Sequence, residues 1–261
     1  DIFNEDSENK KGDIKASKFG FGFGLGVLQS LVSHNVGYTF SESSTTKSST
    51  STSASLTGEE GTLITSGLTY SIGTDTRDNY FNPKSGYKWS IKNTFVGLGG
   101  DANFIKSTAK YKIFYPLNYG DYTIALKSGI GFVSSFDDKV TSSNRFYFSG
   151  RTLRGFDNGG VGPRDTGNNQ AVGGNNFYNT SLEVRSDKFM PDDTGLEWLL
   201  FSDVASLWGT DYESGVQGYD DIEPRITAGF GLAMSTAVGP IQFLWGYPIQ
   251  SKTYDLEENF Q

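Results

Sequence analysis

Hydrophobic and polar positions alternate with period two along most of this chain. Phe19, Phe21, Phe23, Leu25 and Val27 are separated by Gly20, Gly22, Gly24 and Gly26. Strict alternation of this kind specifies a strand with two unlike faces. The same glycines resemble a dinucleotide-binding loop, but that motif opens a helix and no helical periodicity follows. The alternation continues over 29–40, with His34, Val36, Tyr38 and Phe40 on one face, and over 62–73, with Ile64, Leu68, Tyr70 and Ile72. Further alternating segments contain Tyr87, Trp89, Ile91 and Phe95; Ile105, Ala109, Tyr111, Ile113 and Tyr115; and Tyr122, Ile124, Leu126, Ile130 and Phe132. Four more follow: Tyr178, Leu182 and Val184; Trp198, Leu200 and Val204; Ala228, Phe230, Leu232 and Met234; Ile241, Phe243, Trp245 and Tyr247. Leu199 and Phe201 blur the parity of the second of these. The pattern predicts about ten antiparallel strands and no helix.

The connections alternate in length. Short ones fall near 28–30, 116–121 and 237–240, with a moderate one at 186–195; long ones fall at 41–61, 137–174 and 209–224. Residues 1–14 are polar and read as a loop, 41–61 as a Ser/Thr-rich loop, and NPKSG at 82–86 as a turn. Short turns at one end and long loops at the other describe an outer-membrane barrel. The faces opposite the apolar ones carry Lys106, Lys110, Lys112, Lys127, Glu183, Arg185 and Asp203, which suits a wet lumen rather than the buried interior of a sandwich. Tyr87, Trp89, Tyr115 and Tyr122 near strand ends suit membrane interfaces.

Composition sharpens this picture. Aromatic residues make up 15% and glycine contributes 33 residues, while mean hydropathy is only −0.41. That is odd for a dry globule and natural for strands with one apolar and one polar or glycine face. No apolar run reaches the roughly 18 residues of a membrane-spanning helix, a test that barrel strands evade. The net charge of −8 argues against nucleic acid as a partner. Without cysteine there is neither a disulfide nor a thiolate ligand. Asp1 opens the chain with no signal-like segment, so targeting is not legible there.

Candidate chemistry is sparse. His34, the single histidine, lies on an apolar strand face, so a serine nucleophile using it as base would work against its parity. Asp75, Asp78 and the acidic stretch 187–193 offer oxygen ligands for a cation, but solvated turns explain them better. Glu183 and Asp203 read either as an acid pair or as a structural cluster around an arginine, and the second reading is favoured. No catalytic residue, metal or cofactor is assigned. The most unusual stretch is RTLRGFDNGGVGPRD, 151–165, inside the longest loop. Ordered loops of that length are usually functional. Parity places Glu183 and Asp203 on the polar faces of consecutive strands, and Arg154 is the cation expected to serve both.

Within this loop TLRGF, 152–156, resembles the V/I-R-G-F/Y signature of the BamA/TamA superfamily, which includes FhaC. GPRD at 162–165 resembles its continuation in the BamA family of outer-membrane protein assembly factors. SLEVRS at 181–186, FSDVASLW at 201–208, GPIQFLWGYPI at 239–249 and IGTDTRDNYFNPKSGYKW at 72–89 are similar to later strands of that barrel. The motif residues here are Leu153, Arg154, Gly155, Phe156, Gly162 and Pro163. The resemblance implies an all-β, antiparallel transmembrane barrel in the bacterial outer membrane, about ten strands of a sixteen-stranded whole. It further implies soluble POTRA domains ahead of the barrel, a lateral seam between first and last strands, and a loop (about 137–174) folded into the lumen. The expected function is non-enzymatic folding and insertion of client barrels. The expected partners are the lipid bilayer, unfolded client proteins and accessory assembly lipoproteins. A TamA- or FhaC-like translocation barrel and a passive porin are the alternatives. Residues 1–261 match the later, C-terminal part of such a barrel, so POTRA domains, the first several strands and the final strand are expected to lie outside this sequence.

Overall fold

The computed structural model describes residues 2–9, 14–47, 61–136, 139–191, 194–212, 214–236 and 239–261. Eleven strands form one sheet: β1 (Ile2–Asn9), β2 (Ile14–Gln29), β3 (Val32–Lys47), β4 (Gly61–Asp75), β5 (Gly86–Gly100), β6 (Phe104–Leu117), β7 (Tyr122–Ser135), β10 (Asn176–Ser186), β11 (Leu196–Trp208), β13 (Arg225–Thr236) and β14 (Gly239–Gln250). Four two-residue strands lie off it: β8 (Gly155–Phe156), β9 (Arg164–Asp165), β12 (Val216–Gln217) and β15 (Glu257–Glu258). In the large sheet each strand pairs antiparallel with the next one along the chain, so the sheet is a meander with β1 and β14 at its edges. Strands β2 to β7 run to 14–16 residues. That exceeds the roughly 9–11 residues a tilted strand needs to cross a bilayer, so these strands project beyond it.

Register aligns the apolar faces across the whole sheet. Phe23 lies opposite Tyr38, Tyr38 opposite Leu68, Leu68 opposite Phe95 and Phe95 opposite Ile105. At the far side Leu126 meets Leu182, and Leu200 meets Phe230, which stacks on Trp245 with ring centroids 5.4 Å apart. This face is bare: Phe19, Phe23, Leu25, Val27, Ile130 and Leu182 are all exposed. A continuous apolar face on this scale is untenable in water and is what lipid tails require. His34 lies in it, its Nδ1 2.9 Å from the Tyr70 hydroxyl.

Two segments depart from the sequence reading. Residues 2–9 are a strand, not a loop, paired with β2 from Ile14 to Phe21. The Ser/Thr-rich stretch also begins as strand, because β3 runs to Lys47; residues 48–60 lie outside the described residues. Apart from Ile2 and Phe3, both extensions are polar. Backbone pairing alone makes a hairpin, and beyond the lipid no face needs to be apolar, so the alternation used to recognise strands is absent there. Asp137, the expected start of the long loop, and Ala237-Val238, in an expected tight connection, are likewise outside the described residues.

The outward face of β2 and β3 should sense lipid. Spin labels at Phe21 or Phe23, in bilayer-reconstituted protein, are expected to show oxygen-accessible, water-excluded spectra. Labels at Gly22 and Thr39, which face each other on the opposite side, are expected to be accessible to a polar nickel reagent. The reverse pattern would invert the sheet.

Candidate functional site in the lumen

The inner face holds the second half of the design. The long loop between β7 and β10 is pinched at its neck, where Phe146 and Gly174 exchange backbone hydrogen bonds of 2.9 and 3.0 Å. Arg145, buried at the neck, donates through Nε and Nη2 to the Val140 carbonyl and through Nη1 to that of Val172. Farther in, Arg164 donates to the carbonyls of Gly159 and Asn169. These cations satisfy carbonyls that no regular ladder reaches, which keeps a long irregular segment ordered without water.

Arg154 sits at the centre. Its Nε donates to Asp203 Oδ2 at 2.8 Å and its Nη2 to Asp203 Oδ1 at 2.6 Å, a bidentate pair. Nη1 donates to Glu183 Oε2 at 2.8 Å, and Nη2 also to Ser181 Oγ at 2.8 Å. The Arg154 backbone N–H adds a third bond to Asp203, at 3.1 Å. The guanidinium lies 3.6 Å above the Phe201 ring centroid. Register explains the match: Ser181 is opposite Asp203 and Glu183 opposite Phe201. The two carboxylates therefore lie diagonally across a strand pair, spaced for one planar fork. Arg154, Glu183 and Asp203 are 6%, 2% and 1% exposed, so water contributes little to their neutralisation.

The other loop residues place the backbone. Leu153 and Phe156 are buried with Phe148, Val161, Phe177, Ala205 and Leu207. Gly155 has φ +92° and touches the backbone of Gly246 on β14. A Cβ on Gly246 would lie 2.6 Å from the Gly155 nitrogen, so only a glycine pair allows loop and wall to meet. Gly162 has φ +108° and Pro163 beside it is fully buried. The lumen wall here is not wet throughout: Leu199, Phe201, Ala233 and Leu244 form an inward apolar cluster. The residues that blurred the parity of β11 are therefore inward-facing hydrophobics, and Phe201 is the surface on which Arg154 lies.

Sequence reasoning missed an extension of the network and a second, separate cluster. Glu183 also receives Lys127 Nζ at 3.2 Å and lies 3.3 Å from Arg185 Nε. Arg185 donates to Asn82 Oδ1 and to the Pro83 carbonyl, both at 2.8 Å, and Asn82 Nδ2 donates to Glu197. The NPKSG turn is thus drawn into the lumen from the short-turn end. Parity flagged Arg185, but nothing local marked Asn82. In the second cluster Arg225 donates to Asp255 at 2.9 Å and to the Tyr254 hydroxyl at 3.0 Å, and Tyr254 donates to Asp221 at 2.6 Å. Burial, followed by that donation, pushes the Tyr254 hydroxyl up to about 12. This cluster ties loop 209–224 to the C-terminal segment, whose β15 pairs with β8 of the long loop. Residues 259–261 then lie along the edge of β14, exchanging Leu244–Gln261 backbone bonds of 2.8 and 3.0 Å.

The candidate cation ligands are occupied. Asp75 takes a bidentate pair from Arg77, with both distances 2.7 Å, and Asp78 Oδ1 accepts the backbone N–H groups of Lys84 and Ser85. Residues 192 and 193 of the acidic stretch lie outside the described residues.

An antiparallel meander with a lipid-facing exterior, and a loop ionically anchored on its inner wall, defines a transmembrane β-barrel protein built around its own plug loop. A crystal structure of BamA from Haemophilus ducreyi lacking POTRA domains 1-3 has the same fold, with a TM-score of 0.88 at 21% identity, covering 99% of this chain and 56% of that one. The family model described as the Omp85 superfamily domain matches residues 1–261, and the chain belongs to that superfamily. It is 32% identical to the outer membrane protein assembly factor BamA of Neorickettsia risticii over 189 residues, 72% of this chain and 25% of that protein. It is 27% identical to a SAM50-like protein of Schizosaccharomyces pombe over 211 residues, 76% of this chain and 43% of that protein. The chain thus spans about a quarter of the BamA relative and under half of the SAM50-like one. Its location is the bacterial outer membrane.

Arg154→Ala is expected to leave the sheet formed and free the loop, read as new cleavage between residues 139 and 175 by external protease. Stranding the buried Asp203 carboxylate costs about 3–5 kcal/mol, less where the lumen is hydrated, while Glu183 keeps Lys127 and Arg185. Double-mutant cycles of Arg154→Ala with Glu183→Gln and with Asp203→Asn should give coupling, while strictly additive effects would refute the contact. Gly246→Val, which alters no charge, is expected to release the same loop by steric conflict alone.

Proposed function

We propose that this chain is the C-terminal barrel part of a BamA-type outer-membrane assembly factor, which folds client barrel proteins into the bilayer. The observation that carries the reading is the RGF loop itself. Arg154 is held by Asp203 and Glu183 inside a barrel wall, in a chain whose bacterial relative is named an outer membrane protein assembly factor. A loop fastened across the lumen suits an assembly factor, whose wall stays shut while its edges are worked.

The work in this reading is non-covalent. A barrel edge presents unpaired N–H and C=O groups, which hydrocarbon cannot satisfy and which an unfolded client strand can. No side chain has to make or break a bond, and the motif residues Leu153, Arg154, Gly155, Phe156, Gly162 and Pro163 serve to hold the loop. We assign 1–261 as a partial barrel domain with a lumen loop at about 137–174, preceded by POTRA domains in the whole protein. Unfolded outer-membrane proteins are its clients and accessory lipoproteins its helpers.

Proteoliposomes containing the full-length protein should accelerate insertion of a client barrel severalfold over empty liposomes, with no nucleotide or metal added. Ion conductance without such acceleration would replace this reading with that of a porin.

A further inference from the structure

One level of the inner wall carries charges that the loop anchor does not explain. Lys88 of β5, Lys112 of β6 and Lys127 of β7 lie directly opposite one another in register. Like charges opposed across strands repel and destabilise the pairing. The two outer lysines are compensated: Lys88 lies 3.0 Å from Asp75, and Lys127 lies 3.2 Å from Glu183. Lys112, between them, has no carboxylate partner among the described residues. Among the described residues Lys110, two residues away on the same face of β6, has none either, nor does Arg151 of the long loop.

These three cations converge on one cavity. It occupies about 340 Å³ between loop and wall, and its lining includes Thr108, Lys110, Lys112, Lys127, Arg151 and Asn179 but no aspartate or glutamate. The chain as a whole has a net charge of −8, so a carboxylate-free cavity with three unmatched cations is a local reversal of sign. Hydroxyl and amide donors stand beside the charges. The wall compensates Lys88 and Lys127 and leaves the lysine between them without a carboxylate.

From this geometry we infer an oxyanion site of the phosphate class, formed by Lys110, Lys112 and Arg151 beneath the lumen loop. A dianion matches three cations better than a single carboxylate does, and its several oxygens suit donors arriving from strand and loop at once. Because Arg151 belongs to the loop and the lysines to β6, the bound anion joins the two independently of the Arg154 anchor.

The test uses the full-length protein in detergent, titrated with inorganic phosphate at constant ionic strength set by chloride, with calorimetry and the heat-modifiability midpoint as readouts. Phosphate should bind and raise the midpoint. Lys112→Gln should bind phosphate about tenfold more weakly, yet unfold at a higher temperature than the parent in phosphate-free buffer, because a like-charge contact is gone. Arg151→Gln lies outside the sheet and should weaken binding while the barrel stays heat-modifiable. Three results would overturn the site. The first is phosphate binding that is absent from the parent or unchanged in both variants. A lower midpoint for Lys112→Gln without phosphate would mean that the lysine already has a protein carboxylate. Binding of a polyglutamate peptide but not of phosphate would assign the cavity to an acidic chain instead.

Discussion

The structure depends on one electrostatic debt shared between two elements. Glu183 and Asp203 stand diagonally on adjacent strands, almost wholly removed from water, and the wall gives cations to Glu183, through Lys127 and Arg185, but none to Asp203 among the described residues. Arg154 on the loop is as isolated in the opposite sense. Each half is unfavourable alone, because a buried charge without a partner is far worse than a buried pair. Brought together they satisfy both carboxylates with one fork, and Phe201 beneath contributes its ring face. The loop is irregular, yet it has a single place to go.

The backbone obeys the same logic of paired deficits. Glycines at Gly155 and Gly246 remove the side chains that would hold loop and wall apart, so the charges can meet at hydrogen-bond distance. Arg145 and Arg164 supply donors to carbonyls that lack a ladder partner. The C-terminal segment binds both the loop, through β15 and β8, and the edge of β14, through Leu244 and Gln261. Loop position and edge pairing are therefore mechanically connected at β14, the strand that carries both.

The charge network also runs from the loop anchor to the short-turn end of the lumen. From Arg154 it passes through Glu183 and Arg185 to Asn82 and Pro83 of the short-turn end. A perturbation at either end has a path of direct contacts to the other. The network lies mainly on β10 and β11 and reaches β7 at Lys127, which is also the last member of the lysine row on β5 to β7. The Arg154 anchor thus lies on one part of the inner wall and the lysine row on the neighbouring part, joined at Lys127.

Much of this was legible in the sequence because a barrel strand is a local object. Period two, set by backbone geometry, determined the strands, their outward faces and the parity that put Glu183 and Asp203 inward together. The RGF stretch singled out Arg154, and its chemistry named carboxylates as partners. Polar strand extensions such as Ile2–Asn9 were not legible, since no face there has to be apolar. Nor was the register, on which everything at the site turns. Whether Asp203 stands opposite Ser181, or Lys112 between Lys88 and Lys127, is decided by how neighbouring strands slide, and a shift of two residues preserves every parity while breaking every pair. Only the tertiary structure fixes that slide, through the Gly155–Gly246 contact, the inward packing of Leu199 and Phe201, and the reach of Asn82 into the lumen. These contacts join residues distant in sequence, and no local pattern records them.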